Sequence, residues 1–427
     1  MTGRRGFLAL GIAALAAPHV VRAQPLVDVE VAVIGAGAAG IATARQLSDW
    51  GYDVAVLEAR GRVGGRAWTD AGALGQPWDR GAQWLHNARR NPLLPLARAA
   101  GLATTPSIFE NMQVLGGADA PMLMAAFDRL DTRIDRAVDG APPGATLADL
   151  ATGDATDATD AAALALAALS IGGDPGQVSL RDAAMQESGE DVLIGGGPAG
   201  LLGHLAADLA LYRNHAVDHV DFRPADHVVV AGAFGALRAS MVVITVPPPV
   251  LAMGAVRFTP ALPSWKQTAF AALQAADFVK VGLRLPGPVD GAEFATDLPA
   301  LIAGRGALLH LDPRAPLAAV LFAGAHARAL VAEGDRALAA AANAVLRQHI
   351  GLTALASDSH DWAADPFSQA PWARLRPGAD RARADYIRPI DARLFFAGEA
   401  APGPFATTLG GAWQSGLAAA NAIWAAS

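Results

Sequence analysis

A glycine-rich turn between an apolar segment and a helical one restricts the fold of this chain more than any other feature. Residues 29–34 (VEVAVI) predict a short buried strand, and Gly35-x-Gly37-x-x-Gly40 follows it directly. In such a turn the first glycine permits the tight bend, the second lets the backbone approach a pyrophosphate, and the third lets the helix pack on the strand. Glu58 ends the next apolar segment about twenty residues on, where a carboxylate binds a ribose hydroxyl. The pattern predicts a βαβ unit for a dinucleotide with a free 2′-OH, which favours FAD or NAD over NADP.

A second stretch of the chain has the same glycine spacing. Gly195-x-Gly197-x-x-Gly200 precedes a helical segment, and Asp221 lies about twenty residues beyond it. If this motif binds a nucleotide, the protein is an FAD- and NAD-dependent reductase. However, only a short apolar stretch precedes the motif, and Pro198 has no N–H to offer a phosphate. We therefore favour a purely structural glycine turn at this position.

The composition excludes several classes of chemistry. The chain has 427 residues, 52% of them hydrophobic, no cysteine, and a formal net charge of −7. Without cysteine there is no disulfide, thiolate nucleophile, iron–sulfur cluster or cysteine-linked cofactor. The negative charge gives no electrostatic reason to expect nucleic acid as a partner. No spacing of histidines and acids is typical of a metal site, so no metal is expected.

The N-terminus predicts export. Arg4 and Arg5 precede an apolar run at 7–17, and the small residues of a cleavage site follow at 21–23 (VRA). This is the pattern of a twin-arginine signal peptide over residues 1–23, and its apolar run is too short to cross a bilayer. We therefore expect a periplasmic or secreted protein with no stable membrane anchor.

Several further segments resemble the flavin-containing amine oxidases. After Glu58 the chain continues as LEARGRVGGRAWT, similar to the GGR turn with which that family contacts the cofactor phosphates. Residues 78–93 (WDRGAQWLHNARRNPL) resemble the segment of polyamine oxidases beside the flavin, and residues 215–222 (HAVDHVDF) resemble the strand whose backbone holds the adenine. Residues 394–420, from LFFAGEAAPG to WQSGLAAA, resemble the C-terminal cofactor motif of the family. The matches follow the family's order over most of the chain.

The resemblance implies an α/β fold in which a Rossmann-type FAD-binding lobe is interleaved with an α+β substrate-binding lobe. This is the FAD fold of the amine oxidases and of glutathione reductase. The α/β segments at the start, middle and end of the chain, with helical segments between them, agree with it. We expect the FAD-binding lobe to comprise residues 26–90, 191–262 and 379–427, and the substrate-binding lobe to comprise residues 91–190 and 263–378.

The resemblance also implies non-covalent FAD and the residues that contact it. Val217 would lie at the adenine, Glu399 at the ribityl or pyrophosphate region, and the start of the last helix against the isoalloxazine. The cofactor-binding residues predicted in this way are Gly35, Gly37, Ala38, Ala39, Gly40, Glu58, Ala59, Arg60, Gly65, Arg66, Gly81, Ala82, Gln83, Trp84, Val217, Gly398, Glu399, Leu409 and Ala412.

Four residues are predicted on the reactive side of the flavin. Lys280, one of only two lysines, stands in the apolar segment ADFVKVGLRL, and the resemblance implies that its amine faces flavin N5 through a water. Trp372 matches the first of two aromatic residues that flank the reactive edge in the family. Thr408 occupies the position of the second, and the nearby Phe405 is a possible substitute. His86 matches a histidine that polyamine oxidases place near the substrate. Simple core packing of Trp372 and a structural role of His86 remain open.

Three acids near the second glycine motif are further candidates. Glu187, Glu190 and Asp191 could bind a distal ammonium group of a substrate, but we favour a solvated acidic face.

These expectations together describe an exported FAD-dependent amine oxidase. It would take a hydride from the carbon beside an amine nitrogen, giving an imine, and O₂ would reoxidise the flavin with release of H₂O₂. A periplasmic cytochrome or quinone is the alternative acceptor. The expected substrate is a polyamine or another primary or secondary amine, and an L-amino-acid oxidase or a tryptophan 2-monooxygenase-like enzyme is the alternative. An NAD(P)H-dependent flavoprotein reductase and a catalytically silent flavin-binding protein are alternatives of other classes.

Overall fold

The computed structural model describes residues 28–151, 158–187 and 189–427. The predicted signal peptide at residues 1–23 lies outside this part of the chain. Within it, no helix is both long and apolar enough to cross a membrane.

The described residues form thirteen α-helices and twenty-one strands. In chain order, the helices are α1 (Ala38–Asp49), α2 (Leu93–Ala99), α3 (Ala120–Val138), α4 (Ala158–Ile171), α5 (Leu180–Ala184), α6 (Gly197–Leu205), α7 (Pro248–Ala252), α8 (Ser264–Ala272), α9 (Leu298–Ile302), α10 (Gly324–Glu333), α11 (Asp335–Ile350), α12 (Ala382–Ile387) and α13 (Leu409–Ala426). The strands are β1 (Val29–Ile34), β2 (Val54–Leu57), β3 (Thr69–Asp70), β4 (Trp78–Asp79), β5 (Trp84–Leu85), β6 (Thr104–Ser107), β7 (Met112–Leu115), β8 (Asp191–Ile194), β9 (Leu211–Tyr212), β10 (Val217–Asp221), β11 (Val228–Gly232), β12 (Gly235–Ile244), β13 (Arg257–Thr259), β14 (Leu273–Ala275), β15 (Phe278–Arg284), β16 (Phe294–Asp297), β17 (Ala307–Leu311), β18 (Leu317–Ala323), β19 (Ala356–Ser359), β20 (Ala373–Leu375) and β21 (Leu394–Phe396).

The larger sheet has a parallel centre that carries the first glycine turn. Its strands follow the order β13-β10-β11-β12-β1-β2-β9, and β21 also pairs with β12. β1 lies between β12 and β2, parallel to both, so Ile34 is opposite Ile244 and Leu57. Hydrophobic clusters cover both faces of β1, which explains why this strand reads as a continuous apolar run. The predicted strand at 29–34 is confirmed, and the turn after it lies at the carboxyl end of a central parallel strand, where α/β folds bind ligands.

Two helices from opposite ends of the described sequence, α1 and α13, meet on one face of this sheet. Thr43 of α1 donates its hydroxyl to the Gly416 carbonyl oxygen of α13 at 2.9 Å. A Cβ on Gly416 would lie 2.1 Å from the Ala39 carbonyl oxygen, so a glycine is required where the two helices cross. The first turn of α1 is therefore held close to the N-terminal half of α13.

The smaller sheet is formed by β7 and by five strands between residues 278 and 359. Its six strands follow the order β19-β15-β18-β17-β16-β7. One face packs on α10 and α11, and the opposite face carries Lys280 in line with Leu321 and Leu308. All strands of the larger sheet fall within the ranges predicted for the FAD-binding lobe, and all six of these strands fall within the ranges predicted for the substrate-binding lobe. The boundaries of the lobes stay a prediction.

A third, three-stranded sheet contains the strand that precedes the second glycine motif. β8 is its central strand and pairs antiparallel with both β5 and β6. Since β8 is not part of the parallel sheet, the second motif lacks the strand arrangement of a dinucleotide site. This agrees with a structural turn.

Candidate active site

The first glycine turn has the geometry that its sequence predicts. Gly35 has a φ of +107°, in the region that favours glycine. A Cβ on Gly40 would lie 1.9 Å from the Gly35 carbonyl oxygen, so only glycine lets the helix approach the strand this closely. At Gly37, by contrast, no atom lies within 4 Å of the position a Cβ would take. The backbone at Gly37 is therefore open toward a ligand at the N-terminus of α1.

Glu58 lies directly beside this turn. Its side chain is 6% exposed, and its Oε2 accepts from the Ala36 N–H at 2.8 Å while Oε1 accepts from the Arg60 N–H at 2.8 Å. The backbone of Glu58 pairs with the segment before β10, since His215 N–H donates to the Glu58 carbonyl oxygen at 2.8 Å. The predicted ribose-binding acid and the segment leading to Val217 are thus neighbours, although 159 residues of sequence, from 58 to 217, separate them.

The GGR turn connects the N-terminal and C-terminal cofactor motifs. A Cβ on Gly65 would be 3.6 Å from the Gly37 Cα, which places the two glycine turns against each other. Arg66 Nη1 donates to Glu399 Oε1 at 2.9 Å, and the same oxygen accepts from the Ala373 N–H at 3.1 Å. Glu399 Oε2 is buried and has no hydrogen-bond partner within the described part of the chain. A buried carboxylate oxygen without a donor indicates a ligand group with a hydroxyl or N–H at that point.

The other predicted cofactor residues lie along the same elements. Ala38 and Ala39 begin α1, and Leu409 and Ala412 lie in the first turn of α13. Ala59 follows Glu58 at the end of β2, and the Gly398 N–H donates to Ser415 Oγ of α13 at 3.1 Å. Further residues of this set are Arg60, which pairs with Asp365 at 2.7 Å, and Ala82, whose N–H donates to the Arg66 carbonyl oxygen at 3.1 Å.

These features fit FAD. The open backbone at Gly37 accommodates a pyrophosphate, and the N-termini of both α1 and α13 favour negative charge. Glu58 keeps lone pairs available for ribose hydroxyls, and Glu399 Oε2 requires a donor. Gly37, Glu58 and Glu399 are therefore the residues whose geometry fits FAD, and their contact with the cofactor stays a prediction.

Lys280 is held against the segment that joins β4 and β5. Its Nζ donates to the Gly81 carbonyl oxygen at 2.7 Å and to Gln83 Oε1 at 3.0 Å. It lies 5.6 Å from the centre of the Trp78 ring and 5.9 Å from that of Trp84. Two acceptors and two aromatic faces thus fix an amine on a residue that is only 5% exposed.

Asp79 provides the negative charge that acts on this amine. Burial lowers the pKa of Lys280 to about 8, and the charge of Asp79 opposes that change. Burial raises the pKa of Asp79, while Lys280 and a hydrogen bond from the Thr69 hydroxyl at 2.5 Å lower it in part. A Cβ on Gly197 would lie 2.3 Å from Asp79 Oδ1, so the second glycine turn packs directly on this acid.

His86 lies beside Trp84, whose ring is also near Lys280. Its Nδ1 is 2.9 Å from Asp191 Oδ2, and its ring centre is 6.3 Å from that of Trp84. Desolvation lowers the pKa of His86, but the charge and hydrogen bond of Asp191 outweigh it, so the pKa is raised. The side chain of His86 is 44% exposed. Asp191, predicted to belong to a solvated acidic face, is thus engaged in orienting His86.

Trp372 is fixed near the Lys280 strand. Its Nε1 donates to the Ile171 carbonyl oxygen at 2.8 Å, and its ring lies 4.6 Å from that of Phe278. Phe278 precedes Lys280 by two residues and so shares its face of β15. The structure therefore brings Trp372, Phe278 and Lys280 together, and the position of Trp372 beside the flavin stays a prediction.

Thr408 has a structural function that the sequence motif did not indicate. It is the N-cap of α13: its Oγ1 accepts from the Gly411 N–H at 3.1 Å and donates to the Phe405 carbonyl oxygen at 2.8 Å. The Phe405 side chain, the suggested substitute for an aromatic wall, is only 3% exposed. A catalytic role of Thr408 stays a prediction.

Comparison with known proteins identifies the origin of this arrangement. The chain matches the family model of the flavin-containing amine oxidoreductases over residues 38–119 and 159–424. The chain belongs to this family. Membership confirms the predicted FAD cofactor and the predicted fold class, in which a Rossmann-type FAD-binding lobe is interleaved with a second lobe.

The names of similar proteins refer to different substrates. Human lysine-specific histone demethylase 2 is 26% identical over 463 aligned positions, which cover 98% of this chain and 56% of the relative. Probable polyamine oxidase 4 of Arabidopsis thaliana is 30% identical over 298 positions, 62% of this chain and 60% of the relative. The chain thus spans little more than half the length of these relatives.

Solved structures share the fold over nearly their whole length. Cyclohexylamine oxidase from Brevibacterium oxydans IH-35A superposes with a TM-score of 0.79 at 24% identity, covering 93% of this chain and 98% of that one. Putrescine oxidase bound to putrescine superposes with a TM-score of 0.81 at 20% identity, covering 94% and 100%.

Several residues of the site escaped the sequence reasoning. Asp79 acts on the charge of Lys280, Phe278 packs on Trp372, and His310 bonds to Gln83 and is held by Glu293. Asp79 and Phe278 lie within segments singled out above but were not predicted as site residues, and Glu293 and His310 lie outside those segments. One usable signal was present: His310 is the single polar side chain of the apolar strand ALLHL. A polar residue in a fully buried strand requires a partner.

Proposed function

We propose that this chain is an FAD-dependent oxidase of a primary or secondary amine, with a polyamine as the substrate class and O₂ as the electron acceptor. The observation that carries the proposal is the buried Lys280 amine, held by Gly81 and Gln83 beside the cofactor motifs. The 30% identity to a relative named as a probable polyamine oxidase supports the substrate class.

FAD, when bound, accepts two electrons and a proton equivalent from the C–H bond next to the amine nitrogen. The tasks of the protein are to bind the amine, keep its nitrogen lone pair free, and exclude water. His86 Nε2 can take or share the ammonium proton, because Asp191 holds Nδ1 and stabilises the protonated ring. The aromatic rings of Trp84, Phe278 and Trp372 supply apolar surface, which disfavours the charged form of an amine. Lys280 keeps a positive charge or a water near the reacting centre.

The first test is anaerobic mixing of the purified protein with spermidine, putrescine, a monoamine, tryptophan and NADH, followed by flavin absorbance. Bleaching by one or more of the amines, with H₂O₂ formed on readmission of air, is the expected result. Bleaching by tryptophan alone would indicate an amino-acid oxidase, and bleaching by NADH alone would overturn the proposal. Bleaching by amines without H₂O₂ in air would replace O₂ by another acceptor.

We further propose that the protein is exported to the periplasm by the twin-arginine route. The support is the paired Arg4 and Arg5 before the apolar run at 7–17. Export of the folded chain with its FAD would suit a cofactor held without a covalent bond. Replacing both arginines by lysine (Arg4→Lys with Arg5→Lys) should leave the protein in the cytoplasmic fraction, and continued export would show that another route is used.

A further inference from the structure

A continuous hydrogen-bonded network of buried polar side chains begins at Lys280 and ends at Glu293. Lys280 Nζ donates to Gln83 Oε1 at 3.0 Å, and Gln83 Nε2 is 3.1 Å from His310 Nδ1. His310 Nε2 is in turn 3.3 Å from Glu293 Oε1. The Ser107 hydroxyl and the Ile108 N–H also donate to the Glu293 carboxylate, the latter at 3.0 Å. All four members of the chain, Lys280, Gln83, His310 and Glu293, are at most 8% exposed.

The sheet register explains how distant residues reach each other. His310 of β17 pairs with Ala319 of the neighbouring strand β18, and Ala319 pairs on its other side with Gly282 of β15. Lys280 is two residues from Gly282, so Lys280 and His310 share one face of the smaller sheet. The small residues between them leave space above the sheet, which Gln83 spans. Trp78 closes the same space, since a Cβ on Gly282 would lie 2.6 Å from its ring.

The chemistry of the groups fixes the direction of every hydrogen bond in this chain. A charged Lys280 has only donors, so Gln83 must turn its oxygen toward the lysine and its NH₂ toward His310. His310 Nδ1 must then accept, which places the ring proton on Nε2. The Glu293 carboxylate accepts the hydrogen bond from this Nε2–H. Burial raises the pKa of Glu293, but the hydrogen bonds from His310, Ser107 and Ile108 outweigh it and lower the pKa overall.

A core of apolar side chains at these positions would cost less free energy to bury than this polar network. A buried polar group that loses its partner costs about 1–3 kcal/mol, so a half-satisfied network is less stable than apolar packing. An apolar residue at 310 would fit the strand ALLHL and would leave Gln83 free to rotate. The arrangement therefore has its clearest purpose at Lys280, whose amine donates a hydrogen bond to the Gln83 side-chain oxygen.

We propose that His310, oriented by Glu293, is a positioning residue that fixes the Gln83 amide with its oxygen toward Lys280. The proposal rests on the proposed function only in that Lys280 serves the reaction at the flavin; the orientation of Gln83 is a property of the protein itself. If His310 were to gain a second ring proton, Nδ1 would become a donor and Gln83 would have to turn its oxygen away from Lys280. Glu293 is the charged group bonded to His310. Three further charged residues, Asp79, Asp312 and Arg314, line a cavity of about 20 Å³ together with His310. Lys280 lies beyond Gln83.

The first experiment reads the tautomer in the unmodified protein. Long-range ¹H–¹⁵N spectra of the histidine-labelled protein report which ring nitrogen carries the proton, and His310→Asn assigns the His310 signals by their loss. The proposal requires a bare Nδ1 and a protonated Nε2 on His310. The opposite tautomer, or a doubly protonated ring at neutral pH, would overturn it, whether or not the protein oxidises any amine.

The second experiment compares two variants of similar size. His310→Leu removes the acceptor for Gln83, and His310→Asn retains an oxygen near the Nδ1 position; both lose the bond to Glu293. The chain has only two lysines, Lys266 and Lys280, so selectively labelled lysine gives two sets of NMR signals, and Lys280→Met assigns them. We expect the pKa of Lys280 to fall in His310→Leu, because the ammonium loses an acceptor, and to stay near the wild-type value in His310→Asn. Amine-dependent flavin reduction should slow about tenfold in the leucine variant and about threefold or less in the asparagine variant.

The outcomes distinguish the inference about His310 from the proposed oxidase function. If both variants leave the Lys280 signals as in the wild type, the network is ordinary core packing and the inference fails. If the Lys280 signals change in the leucine variant alone but no amine ever bleaches the flavin, the inference stands and the proposed function fails.

Discussion

Two glycine-rich turns of this protein share one spacing and differ in everything around it. The turn at Gly35–Gly40 follows β1, a central strand of the parallel sheet, whereas the turn at Gly195–Gly200 follows β8, the middle of a small antiparallel sheet. Both turns open a helix, α1 in one case and α6 in the other. The number of residues between glycines therefore does not define a nucleotide site.

The difference lies in what occupies the start of each helix. At Gly37 the position of a Cβ is empty to 4 Å, so the backbone can meet a ligand. At Gly197 a Cβ would lie 2.2 Å from Thr69 Oγ1 and 2.3 Å from Asp79 Oδ1. The second helix start thus receives a carboxylate from the protein itself, where the first is open to the negative charge of a cofactor. Asp79 is also the acid that acts on Lys280. The second turn therefore packs on a residue that affects the charge of the candidate active site.

The third glycine of each motif gives the largest contrast. In Gly40→Ala the new methyl would meet a backbone oxygen at 1.9 Å, so α1 must shift, and we expect a loss of about 3 kcal/mol in the free energy of unfolding together with loss of FAD. In Gly200→Ala the methyl would meet nothing within 4 Å inside a helix, so stability should be unchanged or higher by up to about 1 kcal/mol. Thermal unfolding and the flavin-to-protein absorbance ratio measure both. Equal effects in the two variants would contradict the contrast.

The second glycine of the second motif tests the packing on Asp79. Gly197→Ala combines a φ of +70° with two close contacts, and we expect it to destabilise the protein by about 2 kcal/mol. Gly196→Ala is the matched control, because its φ is +74° but nothing lies within 4 Å of the new methyl. Denaturant unfolding of both isolates the contact from the backbone strain. If the two variants unfold alike, Asp79 does not occupy the helix start.

The second glycine of the first motif should behave in the opposite way. In Gly37→Ala the methyl enters open space, so the protein without cofactor should unfold within about 0.5 kcal/mol of the wild type. The same methyl would stand where the backbone approaches a pyrophosphate, so FAD affinity should fall about tenfold, or about 1.4 kcal/mol. Equilibrium titration of the FAD-free protein measures the affinity. Unchanged binding would place the cofactor elsewhere.

The acids that follow each motif give the smallest contrast. Glu58→Gln should weaken FAD binding by about 1 kcal/mol, since a ribose hydroxyl would then meet a neutral amide oxygen in place of a carboxylate, whereas Asp221→Asn should leave binding unchanged. Hydrogen bonds from Arg223 lower the pKa of Asp221 to about 2. Any stability from that pair is present above the unfolded pKa of about 3.9 and is lost as the pH falls toward 2, below the range of the assay. A weaker FAD affinity in Asp221→Asn would reopen the second motif as a nucleotide site.

Much of the fold and part of the site could be predicted from local pattern alone. The apolar run at 29–34, its glycine turn and Glu58 form one contiguous unit, and the structure has them as expected because short-range geometry dictates them. Lys280 was recognisable since a charged residue in an apolar strand needs a purpose. Its partners were not recognisable: Gly81 and Gln83 lie 199 and 197 residues away along the chain. Likewise Thr408 matched a motif position, yet the structure shows that its hydroxyl caps α13.

The sequence by itself determined the local structure of the first glycine motif, because each of its parts, a strand, three glycines, a helix and an acid, lies within about thirty residues, the length of one βαβ unit. Only the tertiary structure decided that the second glycine motif is a structural turn, since Thr69 and Asp79, which fill its helix start, come from β3 and β4. It also decided the surroundings of Lys280, because Gln83 and His310, 227 residues apart, meet only when the smaller sheet is laid against the segment between β4 and β5. Hydrogen bonds and burial act at a few ångströms in space, whatever the separation along the chain.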